Sequence, residues 1–94
     1  MTNKKQLHQS LGSYLKKKRI EAKVTQAEVA NVLGYSTAQF ISNFERGLCS
    51  PPLKHLKKIV KMYNIPPDEV IEIIMDEQKK LLVKWLSNKR EICG

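Results

Sequence analysis

A short stretch near the middle of the chain carries polar side chains suited to forming specific hydrogen bonds with another molecule. Gln39, Ser42, Asn43 and Arg46 recur at spacings of three, four and seven residues, with Ser42 and Asn43 adjacent, so on an α-helix they lie on one side. Gln and Asn each offer a donor and an acceptor that match the major-groove edge of adenine, and Arg can serve guanine or phosphate. An ordinary solvated face would more often carry Glu and Lys, so this composition favours DNA recognition.

The other side of the same stretch is apolar. Phe40, Ile41 and Phe44 fall within one arc when successive residues are placed about 100° apart, which predicts that this side is buried. Phe40 has an alternative role, because its ring can touch a thymine methyl group. Packing beside Phe44 is the preferred interpretation of Phe40.

The preceding residues predict the elements that position this helix. Thr25 followed three residues later by Glu28 forms a capping box, which marks a helix start, and Gly34 suits a left-handed C-cap. The next helix is expected to begin at Ser36 or Thr37. Two short helices joined by a tight link that contains glycine are typical of a helix-turn-helix.

The rest of the chain predicts an all-α architecture of five helices. Helix 1 is expected over about 11–22, helices 2 and 3 follow, and helix 4 opens at Pro51 or Pro52, since proline fits the first helical turn. Helix 5 is expected to begin at Pro67. It either continues to about Ser87 as an extended C-terminal helical segment or bends within 76–80.

The charge of the chain is unevenly distributed. The net charge is +8, and residues 1–65 hold twelve Lys and Arg against three Asp and Glu, whereas residues 66–94 hold five against six. A positive field attracts nucleic acid or an anionic membrane. The basic cluster 16–19 lies beside an apolar face that is too short for a membrane anchor. No apolar run of membrane-spanning length and no signal peptide is found, so we expect a cytoplasmic protein that does not bind membranes.

Residues with catalytic or metal-binding potential are few. Cys49 and Cys93 form no Cys-x-x-Cys pair and lie at no zinc-finger spacing from His8 or His55. We therefore expect two free thiols and no metal. No nucleophile–base pair, carboxylate pair or Gly-rich phosphate loop is found either. The sequence predicts a protein that is not an enzyme and needs no cofactor.

A longer pattern resembles a known family. Residues 25–30 (TQAEVA), 33–36 (LGYS), 41–47 (ISNFERG) and 56–60 (LKKIV) resemble the Cro and phage-repressor family, also called the xenobiotic-response-element family. The resemblance covers about 11–74 and implies a lambda-repressor-like DNA-binding domain in which helix 3 is the recognition helix. Members are usually repressors and often homodimers. One departure is that Gly34 to Ile41 spans seven steps instead of six.

The resemblance and the polar face together suggest individual roles. Gln39 and Asn43 match base-contacting positions, and Arg19 and Glu45 match an internal ion pair that is structural. Lys54 is one of the lysines predicted on helix 4. The preferred interpretation of these lysines is a solvated face, and the alternative is that Lys54 contacts phosphate. The candidate base contacts are Thr37, Ala38, Gln39, Ser42 and Asn43, and the candidate phosphate contacts are Thr25, Gln26, Arg46 and Lys54.

The end of the chain holds apolar residues that a five-helix domain does not require. We expect a flexible N-terminus over 1–10, a DNA-binding domain over 11–75 and a C-terminal extension over 76–94. Ile74, Leu81 and Trp85 recur at spacings of seven and four, as in a helix–helix seam, and Leu82 lies beside them. This segment is interpreted as a homodimer interface; the alternatives are folding back on helices 1 and 5, or binding a partner protein, as in an antitoxin.

The function predicted from the sequence is therefore sequence-specific regulation of transcription on double-stranded DNA. A homodimer that represses from a palindromic operator is the preferred form. An antitoxin-type interaction module, whose C-terminal segment binds another protein, is the alternative.

Overall fold

Five α-helices make up the computed structural model, which describes residues 9–87 and contains no strand in that range. The all-α, five-helix prediction is confirmed. Residues 1–8 and 88–94, which include His8, Cys93 and parts of the predicted N-terminus and extension, lie outside the described residues. The helices are Gln9–Glu21 (α1), Gln26–Leu33 (α2), Gln39–Glu45 (α3), Leu53–Tyr63 (α4) and Pro67–Ser87 (α5).

The ends of α2 follow the expected capping chemistry. The Thr25 hydroxyl accepts from the backbone N–H of Glu28 at 3.0 Å, and the Thr25 N–H donates to Oε1 of Glu28 at 2.8 Å. Gly34 has φ +88°, and the N–H of Tyr35 donates to the carbonyl of Ala30 at 2.9 Å. These bonds satisfy groups that a helix end leaves without an intrahelical partner, and the predicted capping box is confirmed.

The start of α3 differs from the prediction. Neither Ser36 nor Thr37 is its N-cap, because the helix begins at Gln39 and Ala38 precedes it without a side-chain capping bond. Thr37 acts from outside the helix: its hydroxyl accepts from the N–H of Gln39 at 3.2 Å. The additional residue between Gly34 and Ile41 is thus accommodated in the turn before α3.

The core draws apolar side chains from all five helices and one loop. Their burial removes apolar area from water, which is the main favourable contribution to folding. The buried set is Leu11 and Leu15 of α1, Val29, Ala30 and Leu33 of α2, Ile41 and Phe44 of α3, Leu56, Ile59 and Tyr63 of α4, Ile65, and Val70 of α5.

Phe40 does not belong to this core, so the prediction that it packs in the core with Ile41 and Phe44 is wrong. Its side chain is 50% exposed and stacks on Tyr35, with ring centroids 4.6 Å apart and planes 20° apart. Phe40 lies at the edge of the predicted arc and in the first turn of α3, where the ring of Tyr35 covers one of its faces.

Gly12 of α1 lies against the backbone at the end of α3. A Cβ atom at this position would lie 2.5 Å from the carbonyl oxygen of Phe44 and 2.8 Å from that of Glu45. Since both neighbours are backbone atoms, they cannot move aside without displacing α3. Gly12 therefore sets the distance between α1 and the end of the helix that bears the polar face.

The fifth helix continues without a bend to Ser87. Its first half packs against α1: the Tyr14 hydroxyl donates to Glu69, and the N–H of Leu11 donates to Oε2 of Glu77 at 2.8 Å. Beyond Glu77, the side chains of Leu82, Val83, Trp85 and Leu86 are each more than half exposed. None of the helices in the described range combines the length and apolar character that crossing a membrane requires.

Candidate nucleic-acid interface

The polar face of α3 is accessible. Gln39 and Arg46 are exposed, and Ser42 and Asn43 are half-buried between them. Nε2 of Gln39 donates a hydrogen bond to Oδ1 of Asn43 at 3.0 Å, one helical turn away. The two amides that the sequence singles out are therefore joined, and each limits the rotamers of the other.

This bond leaves hydrogen-bonding capacity for a ligand. A Gln amide has two N–H donors and an acceptor oxygen, so after donating once to Asn43, Gln39 keeps one N–H and Oε1. Those two groups are the pair that bonds N7 and the N6 amino group of adenine. The Nδ2 group of Asn43 remains a second donor on the same face.

Thr37 and Ala38 lie in the turn before α3 and not on the helix. Thr37 is exposed and Ala38 is half-buried. The hydroxyl oxygen of Thr37 accepts from Gln39, but its hydrogen can still be donated. Both residues adjoin the N-terminal end of the polar face, which is the end that approaches base edges in helix-turn-helix proteins.

The N-terminus of α2 holds two of the four predicted phosphate-binding residues. Thr25 is exposed and forms the capping box. Gln26 is half-buried, and its Nε2 donates to Oε1 of Glu45 at 2.9 Å. This contact ties the start of α2 to the end of α3. The first N–H groups of a helix and its positive dipole end suit an anion.

An ion pair holds α1 and α3 together beneath this surface. Nε of Arg19 lies 2.6 Å from Oε2 of Glu45, and the side chains are only 13% and 4% exposed. Nη2 of Arg19 also donates to Oε1 of Glu45 at 3.3 Å, and Nη1 donates to the carbonyl of Val24 at 2.8 Å. Each nitrogen of the guanidinium thus has a partner inside the protein, which agrees with a structural role.

The negative charge of Glu45 also affects the pKa of Tyr63 on α4. Burial raises the pKa of the Tyr63 phenol well above its ordinary value; the nearby carboxylate of Glu45 raises it further, and Arg19 opposes these effects. The phenol is therefore held in its neutral form. Hydrogen bonds through Glu45 connect Arg19 of α1, Gln26 of α2 and the end of α3.

The two basic candidates for phosphate contact are both exposed. Arg46 is the C-cap residue of α3, and Lys54 lies in the first turn of α4. They lie at either end of the loop that joins α3 to α4. Within residues 9–87 neither side chain forms a salt bridge, so both can reorient towards an anion.

An aromatic cluster next to α3 was not anticipated from the sequence. Tyr35 stacks on Phe40, and its hydroxyl lies 2.9 Å from Nδ1 of His55. The available signal was the position of Tyr35 directly after the C-cap glycine, where a large side chain turns back onto the following helix. The cluster supports the exposed ring of Phe40 beside Gln39.

The predicted C-terminal interface residues divide into two groups. Ile74 is half-buried and packs against the core, and Leu81 is half-buried. Leu82 and Trp85 are 57% and 61% exposed. Within residues 9–87, no cluster of three or more His, Cys, Asp or Glu could hold a metal ion.

Comparison with known proteins gives two findings that agree with this geometry. A family model described as helix-turn-helix matches residues 15–70. The cryptic phage CTXphi transcriptional repressor RstR of Vibrio cholerae is 30% identical to this chain over 76 residues, which cover 78% of this chain and 68% of that protein.

Proposed function

Since this chain belongs to the helix-turn-helix family of DNA-binding transcriptional regulators, we propose that it is a sequence-specific repressor that binds a palindromic operator as a homodimer. The observation that carries the proposal is the accessible pair of amides on α3. Gln39 and Asn43 are joined at 3.0 Å, which presents a prearranged set of donors and an acceptor to a base edge. Prearrangement lowers the entropy cost of binding.

The base contacts are proposed to come from α3 and the turn before it. Gln39 and Asn43 read adenine, Ser42 lies between them, and Thr37 and Ala38 meet the next base pair or its sugar. The exposed ring of Phe40 can contact a thymine methyl group from the same side. Specificity of this kind needs a fixed helix, and the bonds from Gln26 and Arg19 to Glu45 supply that rigidity.

The phosphate contacts are proposed to lie on both sides of α3. Thr25 and Gln26 offer the N-terminus of α2 to one phosphate, and Arg46 and Lys54 offer cations to others. The excess of positive charge within residues 1–65 supplies the long-range attraction. These contacts orient the protein and carry no sequence information themselves.

A homodimer is proposed because one recognition helix reads too few base pairs. The α3 helix has 7 residues, so a single copy contacts only a short site. Two copies related by a two-fold axis read two half-sites about 10 bp apart, and the operator then has the same symmetry. The exposed apolar residues of α5 provide surface for such an association.

The salt dependence of DNA affinity tests the proposed phosphate contacts. The full chain is titrated into a labelled duplex, and anisotropy is followed between about 50 and 200 mM salt; 6–10 phosphate contacts predict a loss of about 10³–10⁵ in affinity. Arg46→Ala and Lys54→Ala should each reduce the slope of log affinity against log salt by about 1. Lys80→Ala on α5 removes the same charge and should leave the slope unchanged. An affinity that does not respond to salt overturns the proposal.

A further inference from the structure

A row of exposed apolar side chains runs along α5 and begins at Ile71, which also borders an apolar groove between α4 and α5. Ile71, Met75, Leu82 and Leu86 are 57%, 63%, 57% and 64% exposed. Their spacings of four, seven and four keep them on one side of a helix, and Gln78 occupies the middle of the row. We call these five residues the outer stripe. It differs from the seam expected from the sequence, because Ile74 packs against the core.

The outer stripe borders a shallow groove that also holds charged groups. The groove has a volume of about 570 Å³, and its lining includes Met75, Leu82 and Leu86 together with Asp76 and Lys79. An exposed apolar strip with charges at its edge has the composition of a helix-pairing surface, in which the flanking charges select the partner and its orientation.

The charges of α5 are segregated along its length. All of its acidic residues lie between Asp68 and Glu77, and its lysines, Lys79, Lys80 and Lys84, follow them. If two copies of α5 paired in parallel, acidic residues would face acidic residues and lysines would face lysines, which is unfavourable. An antiparallel pair instead places the acidic half of each helix beside the basic half of the other.

We propose that the outer stripe pairs with the same stripe of a second copy in an antiparallel arrangement. The proposal rests on the proposed homodimer and specifies its interface. In one register Ile71 opposes Leu86 of the second copy, and Met75 opposes its Leu82; both pairs have the same midpoint, between Gln78 and Lys79. The stripe is thus complementary to itself about a two-fold axis, as a closed dimer requires.

Polar residues near the axis fit the same register. Gln78 and Lys79 lie on either side of the axis, so each is within one residue of its own copy along the helix. The two Gln78 amides can bond each other, because an amide can both donate to and accept from an identical amide. Asp76, which pairs with Lys80 of its own helix at 3.2 Å, is proposed to pair also with Lys79 of the second copy, and the symmetry repeats this contact. A lone polar residue within an apolar seam fixes the alignment of the two helices.

Disulfide formation between introduced cysteines tests the orientation. The background is the full chain with Cys49→Ser and Cys93→Ser, into which Ile71→Cys and Leu86→Cys are introduced separately; both sites are exposed, so folding is preserved. A disulfide requires Cα atoms about 4.4–6.8 Å apart. We expect a disulfide-linked dimer when the two variants are mixed and little when either is oxidised alone. Linkage of each variant with itself would indicate parallel pairing and overturn the proposal.

Charge reversal at the edge of the stripe provides an independent measurement. Lys79→Asp places like charges beside Asp76 of the second copy at two symmetry-related positions, so the dimer dissociation constant from sedimentation should rise about tenfold. The double variant Asp76→Lys/Lys79→Asp should recover most of that loss. Lys84→Asp carries the same charge change on another side of α5 and should have little effect. Equal effects of Lys79→Asp and Lys84→Asp overturn the register.

The outcomes separate this proposal from the proposed function. If the full chain sediments as a monomer at micromolar concentration, the pairing is overturned. If that monomer still binds DNA, the proposed DNA recognition by α3 is not affected. If the mixed disulfide forms but the duplex is not bound at any salt concentration, the pairing holds and the proposed function fails.

Discussion

Gln39 and Asn43 are hydrogen-bonded to each other across one turn of α3, with 3.0 Å between Nε2 of Gln39 and Oδ1 of Asn43. Because each amide orients the other, the two residues form a single hydrogen-bonded unit on the polar face of α3. Truncating either one removes its own contact and also frees the rotamers of its neighbour.

A double-mutant cycle on DNA affinity should reveal this coupling. Gln39→Ala and Asn43→Ala should each weaken binding to the specific site by about 1–3 kcal/mol. The double variant should lose less than the sum, with an interaction energy of about 0.5 kcal/mol or more. Titration of a labelled specific duplex measures all four affinities. Gln39→Ala combined with Lys54→Ala is the control, and additivity in both cycles would mean that the amides act independently.

The network around Glu45 should contribute to folding more than to base readout. Glu45→Ala leaves Arg19, only 13% exposed, without its partner, and breaking a buried ion pair costs about 3–5 kcal/mol. Urea denaturation measures the free energy of unfolding. Glu21→Ala, which breaks an exposed pair with Lys18, is the matched control and should cost about 1 kcal/mol or less. Equal losses in the two variants would show that burial does not strengthen the Arg19–Glu45 pair.

Gly12→Ala should destabilise the fold although alanine favours helices. The added Cβ would lie within 3 Å of two backbone carbonyl oxygens of α3, and overpacking of this kind costs about 1–3 kcal/mol. Thermal denaturation measures the change. Ser13→Ala, at the neighbouring exposed position of α1, should change stability by about 0.5 kcal/mol or less. If the Gly12→Ala variant is as stable as the parent, α1 and α3 must be further apart at this position than the structure shows.

The phenol of Tyr63 should resist ionisation until the protein unfolds. Burial, reinforced by Glu45, raises the pKa of Tyr63 in the folded chain, so the folded state holds this proton more tightly than the unfolded state. The resulting stability is complete below about pH 10 and declines as the pH rises towards the folded-state pKa. The difference in tyrosinate absorbance between the parent and Tyr63→Phe during alkaline titration measures the effect, because Tyr14 also has a raised pKa. Tyr63→Phe should reduce the loss of stability at alkaline pH. If the stability of this variant depends on pH as that of the parent does, the raised pKa of Tyr63 is contradicted.

Local signals in the sequence were sufficient to predict where α2 begins and ends. Thr25, Glu28 and Gly34 act through bonds to residues three to five positions away, so their pattern alone located both ends of α2. The start of α3 depends on how the turn absorbs one additional residue, which periodicity does not specify. The exposure of Phe40 follows from that start and from the stacking of Tyr35, and it was missed for the same reason.

Contacts between distant segments required the structure. The approach of Gly12 to α3 joins residues more than thirty positions apart, and no spacing rule reaches that far. The bond from Gln26 to Glu45 is of the same kind. The Gln39–Asn43 bond was within reach, because side chains four residues apart on a helix are neighbours.

Selection of bound duplexes from a random pool, performed with the parent chain and with Gln39→Ala in parallel, tests most directly whether α3 reads DNA sequence. We predict that the parent enriches an inverted repeat whose half-sites are about 10 bp apart. Gln39→Ala should lose the preference at one symmetry-related pair of positions and keep the rest. Enrichment of no sequence by the parent, or of the same sequence by both proteins, would contradict the role of Gln39 and of α3.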